Sequence, residues 1–184
     1  MKGYPGVRSF LKRSFVLVLL ATSALPARAI ELRLESTGVR GAFSNPFNHA
    51  RFYHVEGYVN WNLPWRWKPG EDWTIQSRLD LTGGWMNGRG DDAAFATVGP
   101  SFEFGWREFP LALDLGCSPT VLSRDQFGNT DFGTFFQFTT HAGLNWKPGS
   151  RWTVGCRLEH LSNAGIGSSN PGLNLYSFGA GLRF

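Results

Sequence analysis

The chain has 184 residues, with 18 Lys and Arg against 14 Asp and Glu, a formal charge of +4. Five of the basic residues (Lys2, Arg8, Lys12, Arg13 and Arg28) and none of the acidic ones precede Ile30, so the rest holds 13 basic against 14 acidic residues, a net −1. The basic excess is confined to the N-terminal stretch, and charge gives no support to a nucleic-acid partner.

Residues 1–29 read as a signal peptide for export. A basic cluster is followed by the apolar run Phe15 to Ala21 and by Ala27-Arg28-Ala29, a small-x-small cleavage pattern. The mature chain is expected to begin near Ile30 and to form one domain, residues 30–184, of about 155 residues. Within it no stretch approaches the roughly 20 consecutive apolar residues that a membrane helix needs.

Period-two alternation recurs along this domain, with little sign of a sustained helical period. Eight segments follow in chain order: Ile30 to Arg40, Tyr53 to Leu63, Trp73 to Trp85, Ala94 to Trp106, Leu111 to Val121, Phe136 to Trp146, Trp152 to Ser162 and Leu173 to Phe184. In the second, Tyr53, Val55, Val59, Trp61 and Leu63 alternate with His54, Glu56, Tyr58, Asn60 and Asn62; the third repeats the pattern. Each segment is about ten residues, the length of a tilted membrane-crossing strand.

Alternation alone does not say which face is inside, because a soluble eight-stranded lipocalin-like barrel has the same period with its apolar side inward. The tryptophans decide. Threaded from a periplasmic N-terminus, Trp61, Trp65, Trp67, Trp73, Trp106, Trp146 and Trp152 fall at the periplasmic end and Trp85 at the other, the girdle that an amphipathic ring makes at headgroup level. The export signal and the aromatic C-terminus agree. The fold expected is all-β, an eight-stranded antiparallel transmembrane β-barrel in the bacterial outer membrane.

Arg78, Asp80, Glu56, Glu103, Arg157 and Glu159 then face a small lumen as ion pairs, without an open pore. Cys117 and Cys156 fall on the lipid side with a whole strand between them. Two strand spacings of about 4.8 Å each exceed the roughly 7 Å Cα limit for a disulfide, so no bridge is expected. His49, His54, His141 and His160 are dispersed and differ in facing direction; no metal ligand set is visible and no cofactor is expected.

The last hairpin, residues 152–184, is where chemistry concentrates. His160 and Ser162 continue the outward face of Trp152, Val154, Cys156 and Leu158, and the alternation of the final segment puts Asn174 on the same face. A register with His160 opposite Asn174 makes Asn163 to Pro171 the loop and brings the three polar groups together, since directly opposed Cβ atoms are about 5 Å apart. Ser162 as nucleophile, His160 as base and Asn174 as orienting group would follow the logic of a hydrolytic triad. From spacing alone, an outward His and Ser at a strand end equally mark the water boundary.

His160-Leu161-Ser162-Asn163-Ala164-Gly165, followed by Asn170-Pro171-Gly172-Leu173-Asn174 in the last hairpin of an exported barrel, resembles the lipid A 3-O-deacylase family, the PagL-like outer-membrane esterases. The likeness is specific in the last 25 residues and general elsewhere. It implies a serine hydrolase that releases the 3-hydroxyacyl chain ester-linked at position 3 of lipid A, working on the barrel's outer wall in contact with lipopolysaccharide. It assigns the nucleophile to Ser162, the base to His160, and the oxyanion-stabilising neighbourhood to Asn163, Ala164 and Gly165. The family's pattern has a glutamate as third member where this sequence has Asn174. An amide can fix the imidazole tautomer but cannot balance imidazolium charge. Asp125 or Asp131 would be alternative carboxylates, both on an extracellular loop, while Glu159 is expected to point into the lumen. Arg40, Arg51, Arg89 and Arg124 are expected near the extracellular rim, as ordinary rim charges or as partners of lipid A phosphates. A non-catalytic structural or adhesin-type barrel and a lipid A acyltransferase remain alternatives, and oligomeric state is left open.

Overall fold

The computed structural model describes residues 31–44 and 51–184. The expected signal peptide and His49 lie outside these residues. Eight long strands close one antiparallel barrel: β1 Arg33–Ser44, β2 Phe52–Trp67, β3 Trp73–Gly88, β4 Asp91–Trp106, β5 Phe109–Leu122, β8 Phe136–Trp146, β9 Trp152–Ser162 and β10 Leu173–Arg183. Two short strands, β6 Gln126–Phe127 and β7 Thr130–Asp131, form a small hairpin within the β5–β8 connection. Every long strand pairs with its neighbours in sequence, and β1 meets β10 from Ser36↔Arg183 to Ser44↔Leu175. Closure leaves no unpaired sheet edge, which a strand wall facing hydrocarbon requires.

The outer wall is apolar. Val39, Val55, Leu81, Leu158 and Phe178 are all exposed, at positions that alternate with buried polar residues. Trp65, Trp67, Trp73, Trp106, Trp146 and Trp152 are exposed around the end that carries the turns 68–72, 107–108 and 147–151, where Trp73 packs edge-on against its cross-strand partner Trp106. Trp85 lies toward the opposite end. Cys117 on β5 and Cys156 on β9 are free thiols on this outer wall, with β8 between them.

Several strands run past the segments expected from alternation. The β3–β4 ladder continues to Gly88↔Asp91 and turns through Arg89 and Gly90, both with positive φ (53° and 89°), the backbone of a tight two-residue hairpin. Polar residues occupy this extension because it stands above the apolar band, so hydropathy alternation stops before the hydrogen bonds do. In β1 the register shifts between Leu34 and Ser36. Glu35 and Ser36 are consequently both buried, and the inward parity changes from there on. Arg40, expected at the extracellular rim, is a buried lumen residue paired with Glu56: the change of parity turns it inward, and β1 runs on to Ser44, so position 40 is not the end of the strand.

The lumen has two zones. In the polar zone the fully buried guanidinium of Arg78 binds the Asp114 carboxylate, Glu103 at 2.9 Å and the Ser101 hydroxyl at 3.3 Å. Asp114 also accepts from Arg157 at 2.6 Å, and Lys147 joins Glu103 to Glu35. The wall thins where these long side chains need room: a Cβ on Gly179 would collide with Arg40 Cγ, and one on Gly143 would stand 2.5 Å from Arg157 Cγ. Toward the loop-rich end the filling turns apolar. Phe127 and Phe132, from the connection bearing β6 and β7, pack edge-on against each other and against Phe52, over Met86, Leu122 and Leu161.

Removing one partner of a buried ion pair leaves the other charge without compensation and costs more than the pair itself contributes. Arg78→Met is therefore expected to lower stability by about 3–5 kcal/mol, measured by reversible urea unfolding of the barrel in detergent micelles. A loss below about 1 kcal/mol, the scale of an exposed pair, would show that the lumen carboxylates find other partners.

Candidate active site

The β9–β10 hairpin pairs Glu159↔Leu175, His160↔Asn174 and Leu161↔Leu173, the register expected from the sequence. Along β9, Thr153, Arg157, Glu159 and Leu161 are buried, while Val154, Cys156, Leu158 and His160 are exposed. His160 and Asn174 thus stand on the outer wall. They are joined: His160 Nδ1 lies 2.7 Å from Asn174 Oδ1. With the amide oxygen accepting, the proton sits on Nδ1 and Nε2 is left as an acceptor. Glu159, as expected, points inward, its carboxylate taking a hydrogen bond from Ser177. Asp131 accepts from the Gly133 amide, and neither it nor Asp125 hydrogen-bonds the ring.

Ser162 is half-buried at the last position of β9, two residues beyond His160 on the same face, with Phe138 of β8 as its pairing partner. The imidazole leans toward that end of the strand. A Cβ on Gly172 would stand 3.1 Å from His160 Cε1 and 3.8 Å from Nε2, so the ring lies close against the backbone of Gly172. One further step of the ladder beyond Leu161↔Leu173 sets Gly172 against Ser162. Among the described residues no hydrogen bond joins the Ser162 hydroxyl to the ring, and such contacts commonly tighten only when substrate is bound.

The loop after Ser162 is held from inside. Asn163 is fully buried, and its side-chain amide donates to Phe132 O at 2.8 Å and Ser169 O at 2.6 Å. Its Oδ1 accepts from the Gly165 N–H at 2.8 Å, and its own N–H donates to Asn170 Oδ1 at 3.2 Å. Two of the three amides expected to face an oxyanion are therefore occupied by the loop itself. Ala164 differs: it adopts φ 53°, and its N–H has no partner among the described residues. Asn163 serves as a structural staple between the β9–β10 and β5–β8 loops, a role the sequence does not reveal because the partner carbonyl belongs to a distant loop.

Below His160 the outer wall carries a shallow apolar trough. Two contiguous depressions of about 410 and 430 Å³ share Ala142, Leu158 and Tyr176; the upper one is bordered by His160 and Asn174, the lower by Cys156 and Phe178. Of the arginines expected at the rim, Arg51 is exposed, Arg89 donates to Thr130 at 2.8 Å and Arg124 pairs with Asp91. Two groups of potential metal ligands occur among the described residues, His54 with Glu56 and Glu159, and Asp80 with Asp114 and His141. Both lie in the lumen, on the opposite side of the wall from Ser162.

Comparison with known proteins bears on the family and the fold. The sequence pattern of the family described as lipid A 3-O-deacylase (PagL) matches residues 55–183. The lipid A deacylase PagL of Bordetella bronchiseptica is 29% identical over 178 residues, 90% of this chain and 94% of that protein. The lipid A deacylase PagL of Pseudomonas aeruginosa is 29% identical over 126 residues, 62% of this chain and 71% of that one. Among solved structures, the outer membrane enzyme PagL superposes with a TM-score of 0.68 at 18% identity, covering 80% of this chain and 99% of its own. The N-terminal β-barrel domain of Pseudomonas aeruginosa OprF gives 0.51 at 13% identity, over 84% and 100%, and shares the barrel alone. Since the family pattern spans all but the first strand and the start of the second, and takes in the β9–β10 hairpin, the chain belongs to the lipid A 3-O-deacylase (PagL) family.

Proposed function

We propose that this chain is an outer-membrane esterase that removes the ester-linked 3-hydroxyacyl chain at position 3 of lipid A, with Ser162 as nucleophile, His160 as general base and Asn174 as the group that orients the ring. The observation that carries the assignment of roles is the 2.7 Å contact between His160 Nδ1 and Asn174 Oδ1 on the lipid-facing wall. An imidazole so held keeps Nε2 free to accept the Ser162 proton as the hydroxyl oxygen attacks the ester carbonyl carbon. The carbonyl oxygen takes the negative charge, and the unengaged Ala164 N–H is the donor placed nearest in sequence to meet it. Collapse breaks the bond to the sugar oxygen, which receives the proton from His160 Nε2, and leaves the acyl chain on Ser162. Water, deprotonated by the same nitrogen, then releases the 3-hydroxy fatty acid and restores the serine.

The outward position is part of the mechanism. A soluble esterase must extract an acyl chain from the membrane, whereas a group on the barrel wall meets the ester at the depth where it already lies. The trough bounded by Ala142, Leu158 and Tyr176 gives the chain a path along that wall. Asn174 supplies orientation without charge. The imidazolium formed in the transition state is then less stabilised than beside a carboxylate, and a slower reaction is the consequence.

Two outcomes are expected. In mass spectrometry of lipid A from cells expressing each variant, the wild type removes one 3-hydroxyacyl chain, while Ser162→Ala and His160→Ala fall by about 10³-fold or more; an undiminished Ser162→Ala would exclude the assigned nucleophile. In a micellar assay, Asn174→Glu should raise kcat with little change in KM, because the added charge acts on the transition state rather than on substrate binding. Equal loss of activity in Asn174→Glu and Asn174→Leu would count against an orienting role.

A further inference from the structure

The lumen contains a polar group that neither the ion-pair network nor the surface chemistry uses. The side chain of His54, on β2, is only 3% exposed, and both ring nitrogens lack a hydrogen-bond partner among the described residues. Burying an imidazole with neither nitrogen satisfied is costly. The ring lies against Phe95, with centroids 5.2 Å apart. Its Nε2 looks toward two carboxylate oxygens at the same distance, Glu56 Oε2 and Glu159 Oε2, each 3.8 Å away.

The carboxylates are oriented for something at that point. Glu56 turns its Oε1 to Arg40, and Glu159 its Oε1 to the Ser177 hydroxyl at 2.7 Å. Each therefore presents its second oxygen to the space before His54. All three atoms lie within 4.8 Å of one another, and the residues border a cavity of about 30 Å³, room for one small occupant. A direct charge-assisted hydrogen bond would bring nitrogen and oxygen to about 2.7–2.9 Å, so at 3.8 Å the ring stands within ion-pair range of both carboxylates but makes a direct hydrogen bond to neither. Ligand atoms around a tetrahedral zinc at about 2.0–2.1 Å are about 3.4 Å apart, a closure of a few tenths of an ångström from the 3.8 Å that separates Nε2 from each carboxylate oxygen, with the two oxygens themselves within 4.8 Å of each other.

Charge favours the same reading. Two carboxylates face one guanidinium here, Arg40, because Arg157 is engaged by Asp114. The second acidic group differs in this respect: its Asp114 is bound by both Arg78 and Arg157, and Arg78 also stands 4.0 Å from Asp80, so two guanidiniums face its two carboxylates. One imidazole nitrogen with two carboxylate oxygens suits a zinc-class dication better than calcium or magnesium, which take oxygen ligands throughout.

We propose that His54, Glu56 and Glu159 form an internal site for one zinc-class divalent cation, joining β2 to β9 across the lumen behind the His160 hairpin. The role is structural, and it does not rest on the deacylase reading. The test uses the untagged barrel purified in detergent micelles, stripped with chelator and titrated with Zn²⁺ and with Co²⁺. The expected result is one metal per chain, retained in Ser162→Ala and weakened at least about tenfold in His54→Gln and in Glu159→Gln. Zn²⁺ should also raise the unfolding temperature of the wild type and leave that of His54→Gln unchanged. Absence of stoichiometric binding at micromolar metal, with water as the sole occupant, would overturn the proposal, as would equal binding by His54→Gln. Should those variants not fold, zinc X-ray absorption on the wild type decides: one imidazole with oxygen ligands supports the site, and two or more imidazoles or an all-oxygen shell rejects it.

Discussion

A strand wall surrounded by hydrocarbon has no water to satisfy its backbone, so every N–H and C=O must be paired within the sheet. The β1–β10 seam, nine residue pairs from Ser36↔Arg183 to Ser44↔Leu175, is what makes that possible here. Once the ladder is closed, side chains have two destinations, lipid or lumen, and each strand sorts its residues between them by parity. The position of His160 follows from this rule. It shares parity with Leu158 and Cys156, and so an imidazole and its amide partner stand on the outward face of the wall.

Closure also means that the interior must be filled by side chains rather than by a second sheet. This lumen is filled in two ways. Charged groups around Arg78 and Asp114 satisfy one another in the polar zone, and aromatic rings from the β5–β8 connection close the other end. The apolar closure has a functional side. Phe132 contributes its ring to the lumen and its carbonyl to Asn163, so the packing that seals the barrel also fixes the loop following Ser162. Stability inside and geometry outside are coupled through that residue.

The barrel, its outward face and the His160↔Asn174 register are legible in the sequence because each depends on short-range periodicity, which survives in any reading of one strand at a time. What escapes depends on shifts of parity or on distant partners. Arg40 reads as a rim residue because alternation ends the first strand there, whereas β1 runs on to Ser44 and the irregularity between Leu34 and Ser36, which leaves no mark in hydropathy, turns the side chain inward. Alternation also ends β3 early and starts β4 late, since their polar extension above the bilayer no longer follows it. The motif does not reveal that the Asn163 side chain ties its loop to Phe132 O of the distant β5–β8 connection. Phe52, Phe95, Leu161, Leu173 and Leu175 do offer a signal, since apolar residues with inward parity near one end mark a dry cap rather than a wet lumen. The grouping of His54 with Glu159 offers none, for it depends on the curvature that brings β2 across from β9.

The central claim is that the serine reacts on the lipid side of the wall, with its base held by Asn174. Labelling the barrel in micelles with a long-chain alkyl fluorophosphonate and mapping the adduct by peptide mass spectrometry tests it most directly. The account predicts a single adduct, on Ser162, that is lost when His160→Ala removes the base. An adduct on another residue, or none from a preparation that still deacylates lipid A, would contradict it.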